Sequence, residues 1–301
     1  MILANLCVSP KGRDKPSRRM LKLVFANCET PAPRRGRKVN EWLDDSGATI
    51  GRAYSSDDSH WIDWPGLGVF AFSARSHDVR VWLEPDVLHE AITDAFARML
   101  QPVILQALGR QALHAGAALG PAGVVAFCGK AGSGKSTLAF AMQHAGWRQF
   151  ADDALVLRLD RGPVTACQPP FTPRLRPASR AHFGSRPLPP SVEQQPADAP
   201  LRAIFILQQE SALTSHRIAL ISQARAFSEL LAHAHCFDAD DPTHMRRLAE
   251  SYLELAARVP VFTLAYQPRL QHLSELTDAV IKTAANIGAR TVLSSKLRPA
   301  V

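Results

Sequence analysis

Cysteine is scarce in this chain and never paired. The five residues Cys7, Cys28, Cys128, Cys167 and Cys236 stand singly, with no Cys-x-x-Cys spacing. Neither a zinc site nor a disulfide framework is indicated. The eleven histidines show no metal-ligand spacing. Among them, His233 and His235 lie two apart in a stretch that reads as helix, where such a pair faces different sides. No run approaches the ~20 apolar residues of a membrane span. The N-terminal residues hold no apolar core of signal-peptide length. A cytoplasmic protein without a membrane partner is the expectation. The chain also lacks internal repeats, an ABC-type Leu-Ser-Gly-Gly-Gln signature and any aromatic-interleaved basic stripe. That last absence bears on the charge. The formal net charge of +8 gathers in Lys11, Arg13, Lys15, Arg18 and Arg19, and again in Arg34, Arg35, Arg37 and Lys38. With no nucleic-acid motif beside them, these residues read as a solvated basic tail, and no nucleic-acid partner is expected.

What is present suits a sizeable core. The 301 residues with 46% hydrophobic content suffice for one large domain or two modest ones. Residues 1–60 are polar, basic and rich in Pro, Gly and Ser, and read as loosely ordered apart from a strand at 21–25. Apolar runs at 67–74 and 79–83 flank Arg75-Ser76-His77-Asp78 and predict a β-hairpin. Residues 86–108 carry helical periodicity, broken at Pro102. Hairpin and helix define a small N-terminal region over 61–104. The third region, 105–285, alternates strands at 112–118, 124–128, 155–159, 201–208 and 261–264 with helices at 137–145, 225–234, 242–258 and 270–285. Asp241 is the expected N-cap of the 242–258 helix, with Pro242 at its first position. Residues 161–200 hold many of the 22 prolines and read as an irregular connection, and 286–301 as a tail.

The most informative stretch is Gly129, Lys130, Ala131, Gly132, Ser133, Gly134, Lys135 and Ser136, followed by Thr137. It fits G-x-x-x-x-G-K-[ST], the phosphate-binding loop of nucleotide triphosphatases and kinases. The glycines let the backbone aim successive N–H groups at phosphate oxygens. Lys135 would face the β- and γ-phosphates, and the Ser136 hydroxyl would ligate Mg²⁺. The setting supports the motif. Val124, Val125, Ala126, Phe127 and Cys128 form a short apolar strand before it, with Cys128 expected to be buried. A Gly- and Pro-free helix follows, stopped by Gly146.

Asp152 and Asp153 lie just past that helix, before the 155–159 strand. Phosphoryl transfer needs a carboxylate for Mg²⁺ and often a base for the nucleophile's proton, and two adjacent carboxylates can divide those roles. Alone, such a pair is an ordinary turn or cap. His114 sits in Leu113-His114-Ala115-Gly116-Ala117, on the strand before the loop. It reads either as a packed core histidine or as part of the site.

These three pieces, in this order, resemble the C-terminal catalytic domain of HPr kinase/phosphorylase. The resemblance spans roughly residues 105–282 and continues through Gln168 to the proline-rich segment, the strand at 201–207 and the segment 253–264. It implies an α/β fold: a P-loop nucleotide-binding core with a mixed sheet flanked by helices, similar to the nucleotide-binding part of phosphoenolpyruvate carboxykinase, here preceded by a small N-terminal β-containing region. It implies Lys135 and Ser136 for phosphate and Mg²⁺, and His114 as the active-site histidine. It also implies Asp152 as a metal-associated carboxylate and Asp153 as the base, with the division between the two aspartates left open. Thr137 stands where HPr kinases proper carry Glu, and their Gly- and Arg-rich C-terminal signature is absent. The chain is more similar to the shorter HPr-kinase-like proteins, some of which modify ribosomal peptide precursors.

The leading expectation is an ATP- and Mg²⁺-dependent kinase phosphorylating a serine or other hydroxyl on a protein or peptide, assembled as a homo-oligomer. The alternatives are a small-molecule kinase and a nucleotide-gated binding module with little turnover. The carboxylate pair favours an enzyme, because a sensor needs only one metal-associated Asp. Arg174 and Arg176, two apart in an extended segment, point the same way and are candidates for holding the γ-phosphate or the acceptor; two solvated surface arginines are the alternative.

Overall fold

The computed structural model describes residues 21–26, 36–44, 46–168, 171, 175–184 and 198–296. Its first part is a six-stranded sheet of β1 (Lys22–Phe25), β2 (Arg37–Leu43), β3 (Thr49–Ser56), β4 (Ser59–Trp64), β5 (Gly68–Ser73) and β6 (Asp78–Leu83). Strands β2 to β6 run as an antiparallel meander, and β1 joins β6 in parallel. The expected hairpin is β5–β6. The expected helix is α1 (His89–Ala95) and α2 (Gln101–Ala107), joined by a π-helical turn, Phe96–Leu100, with Pro102 in the first turn of α2 where its missing N–H costs nothing. Val39, Ile62, Phe70 and Val81 meet Ile92, Leu100 and Ile104 in one core.

Residues 37–60 were expected to be loosely ordered; instead they hold β2, β3 and the start of β4. Their inward positions are few: Val39, Gly51 and Ala53 are the buried residues of β2 and β3. So thin a period-two signal does not announce a strand, and cross-strand pairing decides it. The basic residues at 11–19 and 34–35, with Cys7 and Cys28, lie outside the described residues.

The second sheet is mixed. Its central run is β10 (Arg148–Ala151), β8 (Ala115–Gly120), β9 (Gly123–Cys128), β13 (Asp198–Gln209), β15 (Val261–Tyr266) and β14 (Arg217–Leu220). Strands β9, β13 and β15 are mutually parallel, with antiparallel neighbours outside them. The start of β13 also pairs with β12 (Thr165–Cys167), which continues to β11 (Leu155–Arg158) and β7 (Gln111–Leu113). Successive residues of β9 and β13 alternate between two cores. Val124, Ala126 and Ile204 pack with α5 (Gln223–Leu231) and α6 (Pro242–Arg258). Val125, Phe127 and Phe205 pack with α3 (Lys135–His144) and α7 (Leu273–Lys296). Cys128 is buried, as expected. The Asp241 carboxylate accepts from the Thr243 N–H at 2.8 Å, so the expected N-cap is in place. No helix among the described residues is long and apolar enough to cross a membrane.

Three further expectations are corrected. The tail expected from 286 is helical to Lys296, since no proline follows until Pro299. The connection at 161–200 contains β12 and α4 (Pro177–Phe183). His233 and His235 are not on a helix. Helix α5 ends at Leu231, and the chain turns to pair with β7: the His114 N–H donates to the His233 carbonyl at 2.8 Å, and the His235 N–H to the Ala112 carbonyl at 2.9 Å.

Candidate functional site

The glycine-rich loop leaves the C-terminal end of β9, whose residues are all buried, and ends at the first residue of α3. Gly132 and Gly134 have φ of +83° and +89°, which turns the chain back on itself. A Cβ on Gly134 would stand 2.8 Å from Tyr266 Oη, so this position excludes a side chain on space as well as on φ. The ends of the two neighbouring parallel strands hold the loop's carbonyls. The Gln209 amide donates to the Gly132 carbonyl at 3.2 Å, and the Tyr266 hydroxyl donates to the Ser133 carbonyl. Gln209 and Tyr266 are themselves register partners on β13 and β15. Lys135 is buried, and its ammonium donates to the Gly129 carbonyl at 2.8 Å and the Lys130 carbonyl at 3.3 Å. Burial pushes its pKa down; the aspartates Asp153 and Asp152 oppose that shift and Arg176 adds to it.

His114 and the aspartate pair meet where the strands change partners. The run 112–118, expected as one strand, is broken at His114: β7 before it pairs with β11, and β8 after it pairs with β9 and β10. The same crossing occurs opposite, where β10 ends at Ala151 against β8 and β11 begins at Leu155 against Leu113. Asp152 and Asp153 fill that second gap, as His114 fills the first. A register shift in β10 between Gln149 and Ala151 precedes the pair. The gap is tight: the Ala154 N–H donates to the Asp152 carbonyl at 2.8 Å, and Asp153 takes φ +64°. Asp152 is buried, while Asp153 reaches the cleft. Burial lowers the His114 pKa, and the Lys135 charge lowers it further; the Asp153 charge and a hydrogen bond with the Asp153 backbone oppose this.

Between these elements lies a cleft of about 340 Å³. Its polar lining residues include His114, Lys135, Ser136, Thr137, Asp153 and Arg176, and its apolar ones Leu138, Pro268, Leu270, Leu273 and Leu276. Thr137 Oγ1 lies 2.9 Å from Ser179 Oγ of α4, which ties the loop helix to the segment bearing Arg176. Arg176 stands over the loop: its Nη1 is 3.3 Å from where a Cβ on Gly132 would be. Arg174 lies outside the described residues. The structure thus brings His114, Lys135, Ser136, Thr137 and Asp153 to one cleft, with Asp152 adjacent. Sequence reading missed Gln209, Tyr266 and Ser179. These lie 42 or more residues from the loop atoms they touch, and no local pattern marks them.

Among the described residues, no group of three or more His, Cys, Asp or Glu side chains is arranged to hold a metal ion. No protein-family profile matches the chain, and no curated protein matches it. Among solved structures, the HPr(Ser) kinase/phosphatase from Coxiella burnetii aligns over 63% of this chain and 99% of its own, at a TM-score of 0.38 and 13% identity. At that overlap the likeness decides nothing about function, which is read from the site itself.

Proposed function

We propose that the chain is an ATP-dependent kinase built on a P-loop nucleotide-binding core, transferring the γ-phosphate to a serine or other hydroxyl on a protein or peptide. The observation that carries this reading is the burial of the Lys135 ammonium in the loop Gly129–Ser136, beside a cleft that Asp153 also lines. A cation, an acid and a glycine-lined backbone cradle are what phosphoryl transfer asks of a protein, since its catalysis is chiefly positioning and charge stabilisation.

The residues fit the nucleotide and its metal. Two of the three Lys135 donors are taken by loop carbonyls, which fixes the ammonium against the cradle and leaves one donor. The leucines of α3 and α7 offer an apolar wall for a base. Ser136 and Asp152 would hold Mg²⁺, a metal commonly held by one or two carboxylates plus phosphate and water. When bound, Mg²⁺ neutralises phosphate charge. Asp153, on the cleft surface, would take the proton of the attacking hydroxyl, and His114, whose pKa burial lowers, would offer a hydrogen bond beside it.

The test compares the wild-type chain with Lys135→Ala for Mg-ATP binding and for loss of labelled γ-phosphate. Lys135→Ala should fold, bind ATP at least about tenfold more weakly and lose transfer. A folded Lys135→Ala protein that binds and turns over ATP as the wild type does overturns the reading. Lys135-dependent binding with no phosphate loss from the wild type points to the nucleotide-gated binding module instead.

A further inference from the structure

An arginine of the N-terminal region faces an aspartate of the site. Arg98 belongs to the π-helical turn between α1 and α2. Phe96 and Leu100, two residues either side of it, are buried in the core of the first sheet. Arg98 is not part of that core. Its guanidinium Nη1 lies 3.9 Å from Asp153 Oδ2, and its Nε lies 3.2 Å from Asp94 Oδ2, one α-helical turn earlier. The Arg98 Nε is sealed from solvent, and the side chain as a whole is 26% exposed. Helix α2 continues against β7 and β11, the two strands that flank His114 and Asp153. Single π-helical turns inside helices recur at functional sites, and here the turn carries the arginine that faces the aspartate.

We propose that Arg98 is a positioning residue, ion-paired with Asp94, that fixes the Asp153 carboxylate as proton acceptor for the attacking hydroxyl. The inference rests on the kinase reading above. Asp153 sits at φ +64°, a backbone conformation that Asp adopts more readily than most residues. His114 holds its backbone and Arg98 faces its carboxylate. At 3.9 Å the arginine exerts an electrostatic pull but makes no hydrogen bond. The carboxylate oxygens therefore stay open to a hydroxyl.

The experiment uses the full chain with Mg-ATP and reads ATP affinity separately from release of labelled γ-phosphate to water. The proteins are wild type, Arg98→Gln, Arg98→Lys, Asp153→Asn and the Arg98→Gln/Asp153→Asn double variant. Arg98→Gln should slow release by roughly tenfold or more, within the ~10²-fold that a 1 Å misplacement costs, with ATP affinity unchanged. Arg98→Lys should recover part of the rate. The double variant should be no slower than Asp153→Asn alone, because both changes act through one carboxylate. Two results overturn the proposal: a wild-type rate in Arg98→Gln, or additive losses in the double variant. Failure of the wild type to bind ATP, or to release phosphate from bound ATP, sinks the kinase reading itself and is read directly from the wild-type measurements.

Discussion

A Cβ placed on Gly116 would stand 3.3 Å from the carbonyl carbon and oxygen of Lys135. Strand β8 thus passes against the first turn of α3, and the absence of a side chain at this one position sets how close the helix bearing Lys135 lies to the sheet. Gly116→Val should push the two apart. The expected outcome is a loss of about 1–3 kcal/mol from overpacking, seen in urea unfolding, with a parallel weakening of ATP binding. A Val variant as stable as the wild type, with unchanged affinity, would show that the contact does not set the helix position.

The two aspartates should separate in kinetics. Asp152→Asn, at the buried position beside the loop, should raise the Mg²⁺ requirement. Asp153→Asn, at the cleft surface, should spare nucleotide binding and slow the chemical step by about 10²–10⁴-fold, the range for a lost general base. Titrations of Mg²⁺ and ATP against both variants check this. Wild-type kinetics in both would return the pair to a structural turn.

Arg176 overhangs the loop without belonging to it. Arg176→Gln should reduce phosphate transfer by about tenfold, the scale of one lost charged hydrogen bond, and change ATP affinity less. Steady-state transfer measured beside equilibrium ATP binding distinguishes the two. Equal losses in both would make Arg176 a nucleotide-binding residue, and no loss in either would leave it a surface arginine.

His235 is half-buried, with its Nε2 shielded from solvent. Burial, with a smaller contribution from His114, pushes its pKa from 6.5 down to about 4. Between those values the unfolded chain binds a proton that the folded chain refuses, so stability falls as the pH is lowered. The full contribution holds above pH 6.5 and drains away towards pH 4, at up to ~1.4 kcal/mol per pH unit from this residue. Chemical denaturation at pH 7, 6, 5 and 4 should show the decline. His235→Gln, with no proton to gain, should show a shallower one. Parallel curves for the two proteins would assign the acid sensitivity to other groups.

Some of this molecule is written locally. Helix α6 is one case: an Asp241 cap and Pro242 at its start need only a few neighbouring residues to act, and the helix runs from Pro242 to Arg258, as read. The β5–β6 hairpin and the strand, loop and helix around Lys135 are legible for the same reason, because the apolar runs and the glycines that shape them are contiguous. The meander strands β2 and β3 are not, since few of their residues face the core and pairing partners elsewhere in the sheet hold them. The break at His114 is less legible still. Its apolar surroundings suit one long strand, and nothing within the run 112–118 says that its two ends will join different partners.

By itself, then, the sequence determined the loop, the lysine that opens α3 and the order of His, loop and aspartates along the chain, because each depends on backbone and side-chain preferences acting over a few residues. Tertiary structure alone decided that His114 and Asp153 face each other across paired strand crossings. It also decided that Gln209 and Tyr266 hold the loop's carbonyls, and that Arg98 of the N-terminal region reaches the aspartate. Those relations are matters of register and packing between segments tens of residues apart, which only the folded chain brings within hydrogen-bonding and electrostatic range.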